Sequence, residues 1–181
     1  MAFTLRNGEP ARLRTASVAD AEALVELDTA LVQDGRGMVQ TLDDVGDLDA
    51  KRRRVDDMYR GFSAGEATLI LVAELAAGVV GCAELRQLRP TLCQHVGILS
   101  VGVHPDAQRQ GVGRALMNAL VAHAEECGLL RLELYVRADN DRALAMYRSL
   151  GFTLEATRAR FIRRSDGGFV DDHVLVRFLH A

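Results

Sequence analysis

The chain has 181 residues, of which 49% are hydrophobic and 26% charged, and its formal net charge is −3. This length suits one α/β domain that buries about 70% of the surface its unfolded form exposes, so we predict a single domain over residues 1–181. So small a net charge gives no field that would attract nucleic acid or an anionic membrane, and neither is predicted as a partner.

The cellular location and the metal content are predicted from what the sequence lacks. Its start has no apolar core of a secretory signal, and no later run reaches the ~18 apolar residues of a membrane span, so a cytoplasmic protein is predicted. The three cysteines, Cys82, Cys93 and Cys127, are odd in number and far apart, and the five histidines show no ligand spacing with them. Neither a disulfide framework nor a metal site is expected.

Hydrophobic periodicity predicts an α/β chain with the element order β-α-α-β-β-β-α-β-α-β-β. That order contains seven strands. Ser17 is predicted to cap the first helix, and Gly61 is predicted to end the second. The predicted strands cover residues 11–14, 67–75, 79–88, 95–103, 130–136, 153–164 and 168–179. The first predicted helix begins at residue 17, and the other three cover about 49–60, 111–127 and 140–150.

Residues 33–49 contain three glycines and have no clear period, so they are predicted to form a long connection between the first two helices. Connections of this length are commonly functional. We therefore expect this one to overhang a site.

A strand, a glycine-rich turn and a helix follow one another between residues 101 and 127. Gly111 and Gly113 stand at the helix start, where unpaired N–H groups and the positive end of the helix dipole favour an anion, and where a missing Cβ lets a phosphate approach. Arg109 and Arg114 add positive charge. The pattern lacks the third glycine of a dinucleotide-binding fingerprint and follows three or four strands, so a phosphate site of another kind is predicted.

Two motifs together resemble the Gcn5-related N-acetyltransferase (GNAT) superfamily. Gln-x-x-Gly-x-Gly at residues 108–113, after Val-x-Val-x-Pro at residues 101–105, is similar to the acetyl-CoA signature of the family. The second signature is an Asn, a Tyr seven residues later and then Leu-Gly-Phe, which Asn140, Tyr147 and residues 150–152 match. Because both motifs occur within the expected order of elements, the resemblance implies the GNAT fold, an α/β (α+β) fold with a central, mixed, twisted sheet of about seven strands that is splayed at the CoA site.

The resemblance implies an acyltransferase that uses acetyl-CoA as its co-substrate. In such proteins, backbone groups of the strand hold the pantetheine arm and the acetyl carbonyl, the turn wraps the pyrophosphate, and the Asn contacts the CoA chain. An Asn at this place can equally be a helix cap. Carried over to this chain, the cofactor-binding residues are Val101, Gly102, Val103, Gln108, Arg109, Gln110, Gly111, Val112, Gly113, Arg114, Asn140 and Tyr147.

Tyr147 is the predicted general acid. A thiol of pKa near 8.5 needs only a weak acid to protonate its thiolate, and a phenol is suited to this. A core tyrosine with no chemical role is the alternative. Because holding an amine beside a thioester supplies about 7 to 11 kcal/mol, a general base is dispensable if the amine arrives neutral.

The sequence leaves the general base open. Ribosomal-protein N-terminal acetyltransferases of the superfamily carry a Glu where this chain has Tyr135, and histone acetyltransferases carry a Glu where it has Gly97, so both differences count against those substrates. His95 is the first candidate, because it starts the strand that would bind CoA and its pKa suits proton removal near neutral pH. The remaining candidates are Glu84, the alternative base, and then Glu133 and His173.

These observations favour transfer of an acetyl group to a primary amine of a small molecule, for example an amino acid, by direct attack. The stretch from His95 to Arg177 looks similar to bacterial amino-acid and small-amine N-acetyltransferases. Acetylation of a protein N-terminus or lysine is an alternative, and a CoA-binding sensor without turnover is an alternative of another class. A homodimer through the C-terminal strands is compatible with the residues.

Overall fold

Eight strands and four α-helices follow one another in the computed structural model, which describes residues 1–179. The strands are β1 (Ala2–Thr4), β2 (Pro10–Thr15), β3 (Leu69–Leu75), β4 (Gly78–Gln87), β5 (Val96–Val103), β6 (Arg131–Arg137), β7 (Thr153–Arg163) and β8 (Phe169–Phe178). The α-helices are α1 (Ala21–Asp34), α2 (Leu48–Ser63), α3 (Val112–Glu126) and α4 (Asp141–Ser149).

All eight strands join one sheet in the order β1-β2-β3-β4-β5-β6-β8-β7. Every neighbouring pair is antiparallel except β5 and β6, which are parallel and are connected through α3. The predicted mixed sheet and element order are confirmed. The strand count is eight rather than about seven, because residues 2–4 pair with β2 over a stretch too short to give a period in the sequence.

The two faces of the sheet carry different helices, and each is closed by apolar side chains. On one face, Leu116, Met117 and Leu120 of α3 are fully buried in a cluster that also contains Leu132 and Leu134 of β6. A smaller cluster on the other face joins α1 and α2 to β3; it contains Leu24, Val55, Met58, Ile70 and Val72. Within residues 1–179, no helix combines the length and the apolar character needed to cross a bilayer.

The ends of the first two helices can be compared with the predicted cap at Ser17 and the predicted stop at Gly61. Ser17 caps a short 3-10 turn, Val18–Asp20, which leads into α1. The second helix does not stop at Gly61 but continues to Ser63, and Gly65 is the residue with a left-handed φ of 87° after it. A Cβ at position 61 would lie 2.7 Å from a carboxylate oxygen of Glu66, so this glycine makes room for Glu66 instead of ending the helix.

Candidate active site

The two parallel strands separate after three residue pairs. Val96, Gly97 and Ile98 pair with residues 131–133 of β6, and the pairing ends there. Residues 99–103 of β5 therefore have no partner strand on the β6 side, while residues 134–137 of β6 pair only with β8. We call the space between these two segments the β5–β6 gap. It presents an unpaired strand edge, to which an amide-rich ligand can add as a strand would.

Val101, Gly102 and Val103, the residues predicted to offer backbone groups to CoA, lie along this gap. Helix α1 packs directly against Gly102, because a Cβ built there would meet Cδ1 of Leu31 at 2.5 Å. Leu31 itself is buried. The close approach of α1 to β5 explains why this strand position is a glycine.

The predicted anion cradle lies between β5 and α3. Arg109 and Gly111 both have left-handed backbone conformations, with φ of 65° and 95°, and Gly111 is the N-cap of α3. A glycine cap has no side chain to bond the amides of residues 112–114, which have no partner inside the helix. A Cβ at position 111 would meet no atom within 4 Å, so the space beside the cap residue itself is open. The helix start can hold a pyrophosphate.

The polar side chains around the cradle have partners within the chain. Gln108 donates its side-chain amide to the backbone oxygen of Val103 at 3.0 Å, which ties the turn to the end of β5. Arg114 donates to the hydroxyl of Ser149 at 2.7 Å, which links α3 to α4. The side chain of Arg109 is exposed. Arg109 is thus available to a ligand, whereas Gln108 and Arg114 also hold the walls of the site together.

Asn140 has the predicted role of a helix cap. Its Oδ1 accepts the backbone N–H of Ala143 at 3.2 Å. Its side-chain nitrogen lies 2.4 Å from the position that a Cβ at Gly37 would take. The connection between α1 and α2 therefore passes directly against Asn140. The same connection accepts a hydrogen bond from Arg137 at the oxygen of Met38, 3.1 Å away. The connection between α1 and α2 is therefore held against the last residue of β6 and the start of α4, next to the β5–β6 gap.

Tyr147 is buried in the apolar cluster on the α3 face of the sheet. Its ring meets that of Phe152 edge-on, with centroids 6.1 Å apart. Burial raises the pKa of Tyr147 to about 12. The phenol therefore stays protonated near neutral pH, as a proton donor must.

Of the two predicted bases, Glu84 lies on the other face of the sheet and is already paired. Both of its oxygens accept hydrogen bonds from Arg54 of α2, one of them at 3.3 Å from Nε. The ion pair raises the pKa of Arg54. Glu84 is therefore tied to α2 by this ion pair.

The structure does not bring His95 together with the other predicted residues. It is exposed and precedes β5 at the end where β5 and β6 are paired. Five strand residues separate it from Val101, and the six steps along the strand span roughly 20 Å. His173, a lower-ranked candidate, contacts Thr157 through Nδ1 at 2.9 Å on the last hairpin.

A hydrogen-bonded pair that the sequence reading did not assemble stands where β5 and β6 part. The hydroxyl of Tyr135 donates to Oε1 of Glu133 at 2.5 Å, and Arg131 donates to Oε2 at 3.0 Å. The alternation of apolar and polar residues in β6 was the available signal, since it puts residues 131, 133 and 135 on one face. The hydrogen bond to Glu133 raises the pKa of Tyr135.

An open strand edge and an uncapped helix start border one gap, and they can hold a ligand that carries amides and a pyrophosphate. No group of three or more His, Cys, Asp or Glu side chains that could hold a metal ion occurs in the part of the chain that the structure describes.

Known proteins resemble the chain in both sequence and fold. The family model for the acetyltransferase (GNAT) family matches residues 39–152. The [ribosomal protein bS18]-alanine N-acetyltransferase of Escherichia coli K12 is 43% identical over 70 residues, which are 39% of this chain and 47% of that protein. The mycothiol acetyltransferase of Kocuria rhizophila is 49% identical over 55 residues, 30% of this chain and 18% of that protein. The chain thus spans less than half the length of these curated relatives.

The fold comparison extends over nearly the whole chain. The yncA protein of Salmonella typhimurium, solved with its cofactor acetyl-CoA, superposes with a TM-score of 0.83 at 24% identity, covering 94% of this chain and 95% of that one. The family model covers both signature motifs, so the resemblance inferred from them is confirmed, as is the acyltransferase class. The chain belongs to the acetyltransferase (GNAT) family.

Proposed function

We propose that the chain transfers the acetyl group of acetyl-CoA to a primary amine of a small molecule by direct attack. The observation that carries the proposal is the β5–β6 gap, which opens an unpaired strand edge beside the uncapped start of α3. Bound acetyl-CoA supplies a thioester whose carbonyl carbon a neutral amine can attack. No covalent enzyme intermediate is required.

The residues of the chain divide this work between binding and proton transfer. Backbone groups of residues 101–103 hold the pantetheine arm, and the amides of residues 112–114 hold the pyrophosphate with Arg109 beside them. Tyr147 donates its proton to the departing thiolate. Positioning the amine beside the thioester contributes about 7 to 11 kcal/mol, so most of the acceleration comes from binding.

The acceptor is the part of the proposal on which the relatives differ. One relative is named for an alanine of a ribosomal protein and another for mycothiol, so the family alone does not select between a protein and a small molecule. Tyr135 stands where ribosomal-protein N-terminal acetyltransferases carry a Glu, which favours the small amine. A protein N-terminus is the second candidate, supported by the relative from Escherichia coli.

The test is acceptor-dependent release of CoA from acetyl-CoA with separate pools of amino acids, polyamines, aminoglycosides and N-terminal peptides. We expect release with one of the small-molecule pools. Release with the peptides alone would replace the small amine by a protein acceptor. Tight binding of acetyl-CoA without release from any pool would favour a sensor. Tyr59→Phe, at an exposed tyrosine of α2, controls for the loss of a hydroxyl elsewhere when Tyr147→Phe is assayed.

The cytoplasmic location and the homodimer predicted from the sequence stay predictions. For the homodimer, the edge strand β7 is the natural surface to examine, because it exposes Leu154 and Phe161. Sedimentation of the purified chain at several concentrations measures its oligomeric state directly.

A further inference from the structure

Glu133 occupies the point at which the two parallel strands part. It is the last residue of β6 that pairs with β5, opposite Ile98. Tyr135, two residues further, stands at the open gap and is half exposed. The hydrogen bond between their side chains therefore lies at the closed end of the gap, where the acetyl end of a ligand added along residues 99–103 would finish.

The pair and Tyr147 belong to opposite faces of the sheet. Leu132 and Leu134 are buried in the same cluster as Tyr147, so strand alternation places Glu133 and Tyr135 on the other face. A thioester in the gap is then reached by a proton donor from the α3 face and by a carboxylate from the opposite one. An acceptor amine approaching the open face would meet the Glu133–Tyr135 pair.

Charged neighbours hold this pair in one geometry. The guanidinium of Arg158 lies over the Tyr135 ring, 4.6 Å from its centroid, and is bonded in turn to the buried carboxylate of Asp172. Arg131 fixes the second oxygen of Glu133 and is shared with Glu155. The charged groups that act on the pair are thus Arg131 on β6, Glu155 and Arg158 on β7, Asp172 on β8 and Arg86 on β4.

We propose that the Glu133–Tyr135 pair accepts the proton of the acceptor's ammonium group, and that the chain therefore acts on amines that are protonated at neutral pH. This inference rests on the proposed function. Tyr135 takes one N–H proton of the ammonium group while its own hydroxyl proton passes to Oε1 of Glu133. Glu133 later releases that proton to solvent.

The remaining atoms and electrons balance at Tyr147. The lone pair of the neutral amine forms the C–N bond, and the electrons of the C–S bond leave on sulfur. Tyr147 gives its proton to that sulfur, and the cationic nitrogen returns a proton to Tyr147 as the amide forms. The net products are the N-acetyl compound, CoA and one proton.

The test compares pH profiles of kcat/KM for Glu133→Gln and Tyr135→Phe with that of the wild-type chain. Tyr135→Phe keeps the ring under Arg158 and removes only the hydroxyl. We expect both variants to lose roughly 10³-fold at pH 7. Their deficit should shrink about tenfold for each pH unit above that and disappear as the pH nears the pKa of the amine, near 10 for an aliphatic one, because solution then supplies the neutral form.

Glu126→Gln is the matched control, since it removes the charge of an exposed glutamate at the end of α3, outside the groups that act on the pair. It should keep the wild-type profile. Wild-type kcat/KM in Glu133→Gln, or a deficit that is the same at every pH, overturns the proposal. Each variant is checked for unchanged acetyl-CoA affinity and melting temperature, so misfolding is separated from lost chemistry. If the wild-type chain releases no CoA with any acceptor, the proposed function fails first and this inference fails with it.

Discussion

Tyr147 is the one buried tyrosine in residues 1–179, and its apolar surroundings keep the phenol protonated, as a proton donor must be. Replacing Tyr147 by Phe keeps the ring against Phe152 and removes only the acid. We expect acceptor-dependent turnover to fall roughly 10²- to 10⁴-fold, with the affinity for acetyl-CoA unchanged. Because burial raises the pKa to about 12, the wild-type acid stays protonated up to at least pH 10.

The pH profile of kcat provides the check on Tyr147. Between pH 7 and 10, wild-type kcat should show no decline that Tyr147→Phe abolishes. Full turnover in Tyr147→Phe would leave the tyrosine a packing residue. A wild-type decline centred below pH 10 that disappears in the variant would mean that the phenol titrates in its ordinary range, contrary to its burial.

Gly102 shows how a single missing Cβ sets the distance between a helix and a strand. A methyl group there would lie 2.5 Å from Leu31, so Gly102→Ala should cost roughly 1 to 3 kcal/mol of unfolding free energy through overpacking. In a Leu31→Ala background the added methyl group meets space instead, so the cost should shrink. Urea unfolding of the two single variants and the double variant measures the coupling, and strictly additive effects would contradict the contact.

At the scale of elements, local signals predicted what local forces determine. The start of α4 was predictable because Asn140 caps it, and α3 because its apolar residues recur at helical spacing. The end of α2 was not, since the fate of Gly61 depends on Glu66 after the helix. The β5–β6 gap followed only from the family resemblance. The Glu133–Tyr135 pair could not be predicted from the sequence, because its position at the site depends on where β5 stops pairing with β6.

The start of α1 is fixed by a capping box that also binds an arginine. Asp20 accepts hydrogen bonds from the backbone N–H of Ser17 at 2.7 Å and from both terminal nitrogens of Arg14. Chiefly through Arg14, the pKa of Asp20 falls from its usual value near 3.8 to about 2. Because the folded-state pKa lies below the unfolded one, the ionised form stabilises the fold above about pH 4, and this stabilisation is lost as the pH falls towards 2.

Asp20→Asn should therefore lower the unfolding free energy by about 2 kcal/mol at pH 7. The difference in unfolding free energy between variant and wild type should decrease between pH 4 and pH 2, where the wild-type carboxylate becomes protonated. Asp44→Asn is the matched control, since Asp44 forms the same kind of capping box with Thr41 at an exposed site without an arginine. Urea midpoints measured across this range test the expectation, and a difference between variant and wild type that does not change with pH would contradict it.

At the scale of the molecule, the sheet lets two faces serve one gap. Helices α1 and α2 with their connection lie on one side, and α3 with the buried Tyr147 lies on the other. The gap interrupts only the single parallel pairing, so the antiparallel ladders on both sides remain intact. Opening a ligand site in this way costs few backbone hydrogen bonds, and a bound ligand can replace those that are missing.

This arrangement predicts how ligand binding changes the stability of the whole chain. We propose that residues 1–181 form one domain, and acetyl-CoA in the gap would bridge the two halves of its sheet. At a concentration of 100 times Kd, the ligand should add about 2.7 kcal/mol to the unfolding free energy. For a chain of this size, 1 kcal/mol shifts Tm by about 2 to 4 °C, so a rise of roughly 5 to 10 °C is expected in a single transition.

Pantetheine, which lacks the pyrophosphate that the start of α3 would hold, should give a smaller rise at the same concentration. Differential scanning calorimetry decides both points: two transitions would contradict the single domain, and an equal rise with pantetheine would remove the helix start from the binding site.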